Sequence, residues 1–301
     1  LVIAGGPGWS QAATEALARF AEGWNLPVAV TFRRQDRMNN DHPLYAGDLG
    51  VGMNPKLGQR LAQADMLLVL GARLGDIATD GYEILNPTRL GPKILHVYPD
   101  PDELGRVFHP ALAIAAPTAE AVSALANTSG SGPWADWAAQ ARKDYEAWQK
   151  PTETPGAVKL EAANLPHDSI LTNGAGNYAA FLHRYYRFRQ FGTQLAPTSG
   201  SMGYGFPASV AASLQNPDKT VVCMAGDGCF QMTCNEMSTA VQHGAKPIVI
   251  VANNGRYGTI RMHQERHYPG RPSGTDLANP DFAALALAYG GHGETVADQA
   301  D

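Results

Sequence analysis

The sequence predicts an α/β protein built from two doubly wound parallel-sheet domains. Apolar runs of strand length alternate with amphipathic, helix-like stretches along the whole chain, the pattern of βαβ units. At 301 residues the chain is long enough for two compact domains. A hydrophobic content of 44% supplies the material for their cores. The pattern breaks once, near the middle, where Gly, Ser and Pro accumulate.

In the first half the expected strands are LVIAG (1–5), PVAVTF (27–32), MLLVLGA (66–72), KILHVY (93–98) and ALAIAA (111–116). Helices near 10–23, 55–64 and 117–127 separate them or close the unit. The run TSGSGPW (128–134) has the composition of a flexible linker. A polar helix carrying Trp134, Trp137 and Trp148 follows, then the Pro-containing stretch PTETPG (151–156). This places a first domain at 1–127, a linker with a helix at 128–158, and a second domain at 159–301. There the expected strands are SILTN (169–173), TVVCMAG (220–226) and PIVIVAN (247–253), with helices at 176–188, 204–215, 232–243 and 280–289. The chain stops at GETVADQAD, just after a strand-like run, so the second domain is expected to be truncated before its final helix.

A formal net charge of −5 without a basic stripe excludes nucleic-acid and anionic-membrane partners. No apolar stretch is long enough to span a bilayer. LVIAGGPGWSQ reads as a buried strand entering a Gly-rich turn, with neither the basic region nor the cleavage site of a signal peptide. The cysteines, Cys223, Cys229 and Cys234, are clustered and odd in number, which suits a reducing cytoplasm better than a disulfide framework.

The stretch with the most chemistry is VVCMAGDGCFQMTCNEM, followed by PIVIVANNGRYGTI. A buried strand ends at Gly226-Asp227-Gly228 and a helix soon begins. Glycine lets backbone approach a ligand closely, and a helix N-terminus favours an anion. Asp227 leaves the carboxyl end of a parallel strand, where open α/β sheets bind ligands. The next strand delivers Asn253 and Asn254 to the same region. A carboxylate, an amide oxygen and backbone carbonyls are hard donors, suited to Mg²⁺ shared with a diphosphate. Either run alone reads as an ordinary turn; together, with Asn254 following Asp227 by 27 residues, they read as one site.

GDG followed at this interval by NN resembles the signature of thiamine diphosphate enzymes. LAPTSGSMGYGFPASVAA (195–212) is similar to the segment preceding GDG in the acetolactate synthase branch, and TNGAGNYAAF (172–181) to its first diphosphate-binding turn. HPLYAGDLG (42–50) and HVYPDPDELGR (96–106) resemble parts of its central domain. The resemblance covers nearly the whole chain and implies a central domain followed by a diphosphate-binding domain.

It further implies that Asp227, the side chain of Asn254 and the backbone carbonyl of Arg256 hold Mg²⁺. Gly176 and Asn177 would meet the diphosphate from one side, and Gly228, Cys229, Tyr257, Gly258 and Thr259 from the other. Gly200 and Met202 lie in the cofactor-binding GSMG run, where Met202 matches the apolar residue that keeps the cofactor bent. Family members often carry Ser at the Cys229 position, where the expected contact is through backbone N–H. The implied substrate is a 2-keto acid, to be decarboxylated or joined to a second carbonyl, and the full-length protein would be a homodimer or homotetramer.

The resemblance leaves gaps. In the family a glutamate on a pyrimidine-binding domain activates the cofactor, and this chain begins in the central domain. No catalytic residue is therefore assigned, and the fragment is expected to be inactive alone. FAD is a doubtful cofactor: ARLGDIATDGY (72–82) keeps Asp76 and little else of the Arg-Phe-Asp-Asp-Arg stretch that helps bind it in the synthases. The synthase tryptophan that shapes the acceptor pocket falls at His263, which reads equally as substrate-facing or as a solvated helix residue. RMHQERHYPGR (261–271) reads as an exposed lid or as a carboxylate or proton-transfer site, and Arg33, Arg34 and Arg37 as a solvated loop or a phosphate contact. Two other classes compete: a non-catalytic nucleotide- or diphosphate-binding module, and a nicotinamide oxidoreductase. AGGPGWS (4–10) lacks the glycine spacing the latter needs.

Overall fold

The computed structural model describes residues 1–150 and 165–296. The PTETPG stretch, the expected boundary near 159 and the chain from 297 onward lie outside the described residues. Two compact units result. One is Leu1–Lys150 together with Arg187–Gly192; the other takes the remaining described residues.

The first unit runs β1 (Val2–Ala4), α1 (Gln11–Trp24), β2 (Val28–Val30), β3 (Tyr45–Asp48), α2 (Pro55–Gln63), β4 (Met66–Leu70), β5 (Lys93–Tyr98), β6 (Leu112–Ala115), α3 (Thr118–Leu125) and α4 (Ala135–Trp148). Its strands pair in parallel, in the order β3-β2-β1-β4-β5-β6. Alternate residues serve opposite faces, as a two-sided sheet requires. Ile3, Leu67 and Val69 join Leu57 and Leu61 of α2 and Ala141 of α4. Val2, Ala4 and Leu70 join Leu17 and Phe20 of α1 and Val122 of α3. Leu17 and Leu61 are fully buried, each such side chain stabilising the fold by about 2 kcal/mol.

Local chemistry sets the helix ends. The Ser10 side chain accepts from Ala13 N at 3.2 Å and Asn25 closes α1 in the left-handed region at φ 51°. Asn54 caps α2, whose first residue is Pro55. β3 carries no strand signal of its own, because YAGD is short, contains glycine and ends in a charge. The TSGSGPW run is fastened to the end of α1: Gly130 N donates to Gly23 O at 3.1 Å and Trp24 Nε1 to Thr128 Oγ1 at 3.0 Å.

Arg187–Gly192 belongs to the first unit although it lies beyond the linker in sequence. Buried Phe188 exchanges two hydrogen bonds with Asn40: Phe188 N to Asn40 Oδ1 at 2.9 Å, and Asn40 N to Phe188 O at 2.8 Å. Asp41 accepts from Arg187 at 2.9 Å and Arg189 at 2.6 Å. Asp144 of α4 is the main polar anchor on the α2 side. It accepts from Arg60 at 2.6 Å and Lys56 at 2.9 Å. Burial opposes its charge, but the hydrogen bonds from Arg60, Lys56 and Gln140 prevail and hold its pKa below the usual carboxylate range.

The second unit runs β7 (Ile170–Asn173), α5 (Ala179–Tyr185), β8 (Gln194–Leu195), α6 (Gly205–Gln215), β9 (Val221–Gly226), α7 (Asp227–Gln231), α8 (Glu236–His243), β10 (Ile248–Ala252), α9 (Gly258–His267) and α10 (Phe282–Ala288). Its parallel sheet has the order β10-β9-β7-β8, so the strand order reverses between β7 and β9. β9 is buried at every position. The helix expected at 232–243 starts later, at Glu236, after the short α7 and a turn. Residues 258–267, which include most of the expected lid, form a regular helix. Among the described residues no helix is long and apolar enough to cross a membrane.

Two outcomes follow from the first unit. Asp144→Ala leaves the buried Arg60 guanidinium without its carboxylate and is expected to cost about 3 kcal/mol in urea unfolding. Burial pushes the Asp48 carboxyl up to about 7, against the lowering effect of its backbone hydrogen bond. A carboxyl raised in the folded state stabilises below its unfolded value and loses that stability as pH rises through about 7. Asp48→Asn is therefore expected to stabilise the unit by roughly 1 kcal/mol at pH 8 and by little near pH 4, read as melting temperature against pH.

Candidate functional site

The carboxyl ends of β7, β9 and β10 open onto a cavity of about 470 Å³ in the second unit. It straddles the point where strand order reverses, the place where doubly wound sheets bind ligands. β9 ends in Gly226 and passes directly into α7, so Asp227, only 3% exposed, stands at the cavity floor. Its Oδ1 accepts from Gly228 N at 2.9 Å. β10 ends one residue before Asn253, and Asn254 Oδ1 accepts from Arg256 N at 3.2 Å, which turns the chain toward α9.

The turn after β7 forms the facing wall. Gly176 has φ 155°, and a Cβ there would meet the Tyr178 ring at 2.6 Å. The Tyr178 ring also packs against Gly226, and burial pushes its hydroxyl pKa up. Thr259 on the first turn of α9 ties this wall to the helix. Its Oγ1 accepts from Asn177 N at 2.9 Å and donates to Asn177 Oδ1 at 3.0 Å. Above them, the Gly200–Tyr204 loop carries half-buried Met202. That loop is fixed by Thr233 Oγ1 donating to Gly203 O at 2.9 Å and by Gly203 N donating to Cys229 Sγ at 3.1 Å. The Cys229 thiol is thus turned toward the loop.

Every cofactor- and metal-site residue expected from sequence lines this cavity: Gly176, Asn177, Gly200, Met202, Asp227, Gly228, Cys229, Asn254, Arg256, Tyr257, Gly258 and Thr259. His263 does not. It is exposed on α9, its ring parallel to His267 with centroids 6.3 Å apart. On the same helix Arg261 donates to Glu265 at 3.0 Å, as does Gly270 N, and these bonds, Gly270 first, lower the Glu265 pKa. Among the described residues no cluster of three His, Cys, Asp or Glu side chains exists, so the cavity offers one carboxylate and neutral oxygens. Such a donor set fits a hard, partly hydrated cation shared with an anionic ligand.

Comparison with known families decides what the cavity belongs to. Residues 1–125 match the family model for the central domain of thiamine pyrophosphate enzymes. Residues 174–301 match the model for their C-terminal TPP binding domain. The chain belongs to the thiamine pyrophosphate enzyme family. The cavity lies within the TPP binding domain of this family member. Its relatives include the acetolactate synthase isozyme 2 large subunit of Escherichia coli, 28% identical over 98% of this chain and 54% of the relative. The acetolactate synthase large subunit of Parasynechococcus marenigrum is 27% identical over 99% of the chain and 50% of the relative. Isozyme 1 of Escherichia coli is 30% identical over 90% of the chain and 49% of the relative. The chain thus spans about half the length of these curated relatives, as an acetolactate synthase-like pair of domains.

In the TPP-family central domain, the ARLGDIATDGY run borders a smaller cavity of about 210 Å³. There Arg73 pairs with Glu103 at 3.1 Å and stacks over Tyr98 at 5.8 Å. Sequence reasoning missed Tyr178, which lines the main cavity, and Asn279, which bonds to Asp227 and Asn253 of its lining. Tyr178 sits inside the quoted turn, but nothing in the string says that its ring folds back over two glycines. Asn279 lies far from GDG in sequence and carries no motif.

α6 starts tight against the end of β7: a Cβ at Gly205 would lie 2.8 Å from the backbone of Asn173 and Gly174. Gly205→Ala forces that backbone to move and is expected to cost about 2 kcal/mol in denaturant unfolding. An unchanged midpoint would refute this packing.

Proposed function

We propose that this chain provides the diphosphate- and Mg²⁺-binding half of a thiamine diphosphate-dependent enzyme that decarboxylates or carboligates 2-keto acids. The observation that carries this reading is the convergence of Asp227, Asn254 and Arg256 with the Gly176 turn on one cavity at the strand-order reversal. Asp227 and Asn254 would hold Mg²⁺ with the Arg256 carbonyl. Backbone N–H groups of Gly228 and Cys229 and of the first turn of α9 would meet the diphosphate, where a helix N-terminus favours negative charge. Gly176 and Asn177 would close over it, and Met202 would support the cofactor's ring system. When bound, thiamine diphosphate supplies the electron sink for carbon–carbon cleavage or formation, while the protein orients it and excludes water.

The glutamate that activates the cofactor in this family is proposed to come from a pyrimidine-binding domain outside these 301 residues, at an interface with a second subunit. The chain alone would therefore bind cofactor and turn over little or no keto acid. A homodimer or homotetramer of the full-length protein is the arrangement that completes such sites. The three free thiols, Cys223, Cys229 and Cys234, suit the cytoplasm; burial pushes Cys223 up to about 11, which keeps it an unreactive thiol.

Calorimetric titration with thiamine diphosphate and Mg²⁺ tests the reading. Heat that requires both components, and falls at least tenfold in affinity for Asp227→Ala, is the expected result. Equal binding by Asp227→Ala, or none by the folded wild-type chain, would overturn it.

A further inference from the structure

The segment after α9 returns to the cavity and braces it from behind. Tyr257 N donates to Thr275 O at 2.8 Å, Leu277 N to Gly255 O at 2.8 Å, and Arg256 forms an antiparallel bridge with Asp276. Thr275 is 2% exposed, and Leu277 reaches far enough that a Cβ at Gly228 would lie 3.0 Å from its Cδ1. One short strip of chain thus touches the GDG turn and the Asn253–Tyr257 loop together.

Asn279 ends this strip, and two of its three side-chain bonds go to residues that line the cavity. Its Nδ2 donates to Asp227 Oδ2 at 2.7 Å and to Asn253 Oδ1 at 2.7 Å. Its Oδ1 accepts from Gln231 Nε2 at 2.7 Å. An ionised carboxylate only accepts hydrogen bonds, so the amide must present its NH₂ to Asp227 and its oxygen to Gln231. With Gly228 N on Oδ1 and Asn279 on Oδ2, the Asp227 carboxylate is held at both oxygens, and its rotation about χ2 is blocked.

We propose that Asn279 is the positioning residue of the cation site. It ties the end of β9 to the end of β10 through Asp227 and Asn253, and so sets the gap between the Asp227 carboxylate and the Asn254–Arg256 oxygens. Asn253 acts as its anchor and is not a ligand; Gln231 fixes which way the amide faces. This rests on the cofactor reading given above. Groups that orient metal ligands without touching the metal commonly govern affinity by tens of fold.

The test uses the 301-residue chain with thiamine diphosphate present, and Mn²⁺ as the probe, its free concentration read by electron paramagnetic resonance. Asn279→Ala and Asn279→Leu, the second filling the space without donating, are expected to weaken Mn²⁺ binding roughly 10- to 100-fold. Asn253→Ala should weaken it less, and add nothing when combined with Asn279→Ala, because both remove one linkage. Melting temperatures in chelator separate positioning from packing: a structural role alone lowers them and leaves Mn²⁺ affinity unchanged in the folded variant. If wild type and both Asn279 variants bind Mn²⁺ equally while Asp227→Ala does not, the positioning role falls and the cofactor reading stands. If folded wild type shows no cofactor-dependent binding, both fall.

Discussion

Parallel pairing of β9 with β10 is the constraint on which the second unit's site depends. The register sets Ala252 opposite Gly226, so the next residue on each strand, Asn253 and Asp227, emerge side by side. A slip of one residue would send alternate side chains to the other face of the sheet and separate these groups. The complete burial of β9, from Val221 to Gly226, opposes any slip because it would move apolar side chains out of matched packing. Burial energy in the strand is thereby converted into positional precision at its end.

Polar order at the cavity is built outward from that register. Asp227 is nearly inaccessible and would be costly to leave unsatisfied. Its oxygens take Gly228 N–H and the Asn279 amide, neither of which carries a charge. A cationic partner in the same place would compete with a metal for the carboxylate; neutral donors orient it and leave its charge available. The same economy appears opposite, where Thr259 and Asn177 satisfy each other and hold the wall of the cavity to α9.

The first unit solves a different problem, the joining of discontinuous chain. Asn40 and Asp41 receive Phe188, Arg187 and Arg189, residues that follow the second unit's first strand and helix in sequence. Charge-assisted bonds to a half-exposed carboxylate give direction, while buried Phe188 supplies apolar area. Asp144 plays the comparable part between α2 and α4.

The alternation of strands and helices, most strand positions, and the two turns that face each other across the cavity were legible in the amino-acid string. They were so because parallel strands buried on both faces leave continuous apolar runs, and because GDG and NN, each an ordinary turn alone, fall together at the ends of neighbouring strands. Those signals are local. β3 escaped notice because its pairing with β2 is held by neighbours and not by its own composition, and β8 because two residues make no pattern. Tertiary structure alone decided that Arg187–Gly192 leaves the second unit for the first, that Tyr178 folds over the glycine turn, and that His263 stands outside the cavity. It alone brought Asn279 to Asp227 across 52 positions. Contacts of that kind depend on where a returning loop lands once the sheet has formed, and a side chain's own sequence neighbourhood carries no record of it.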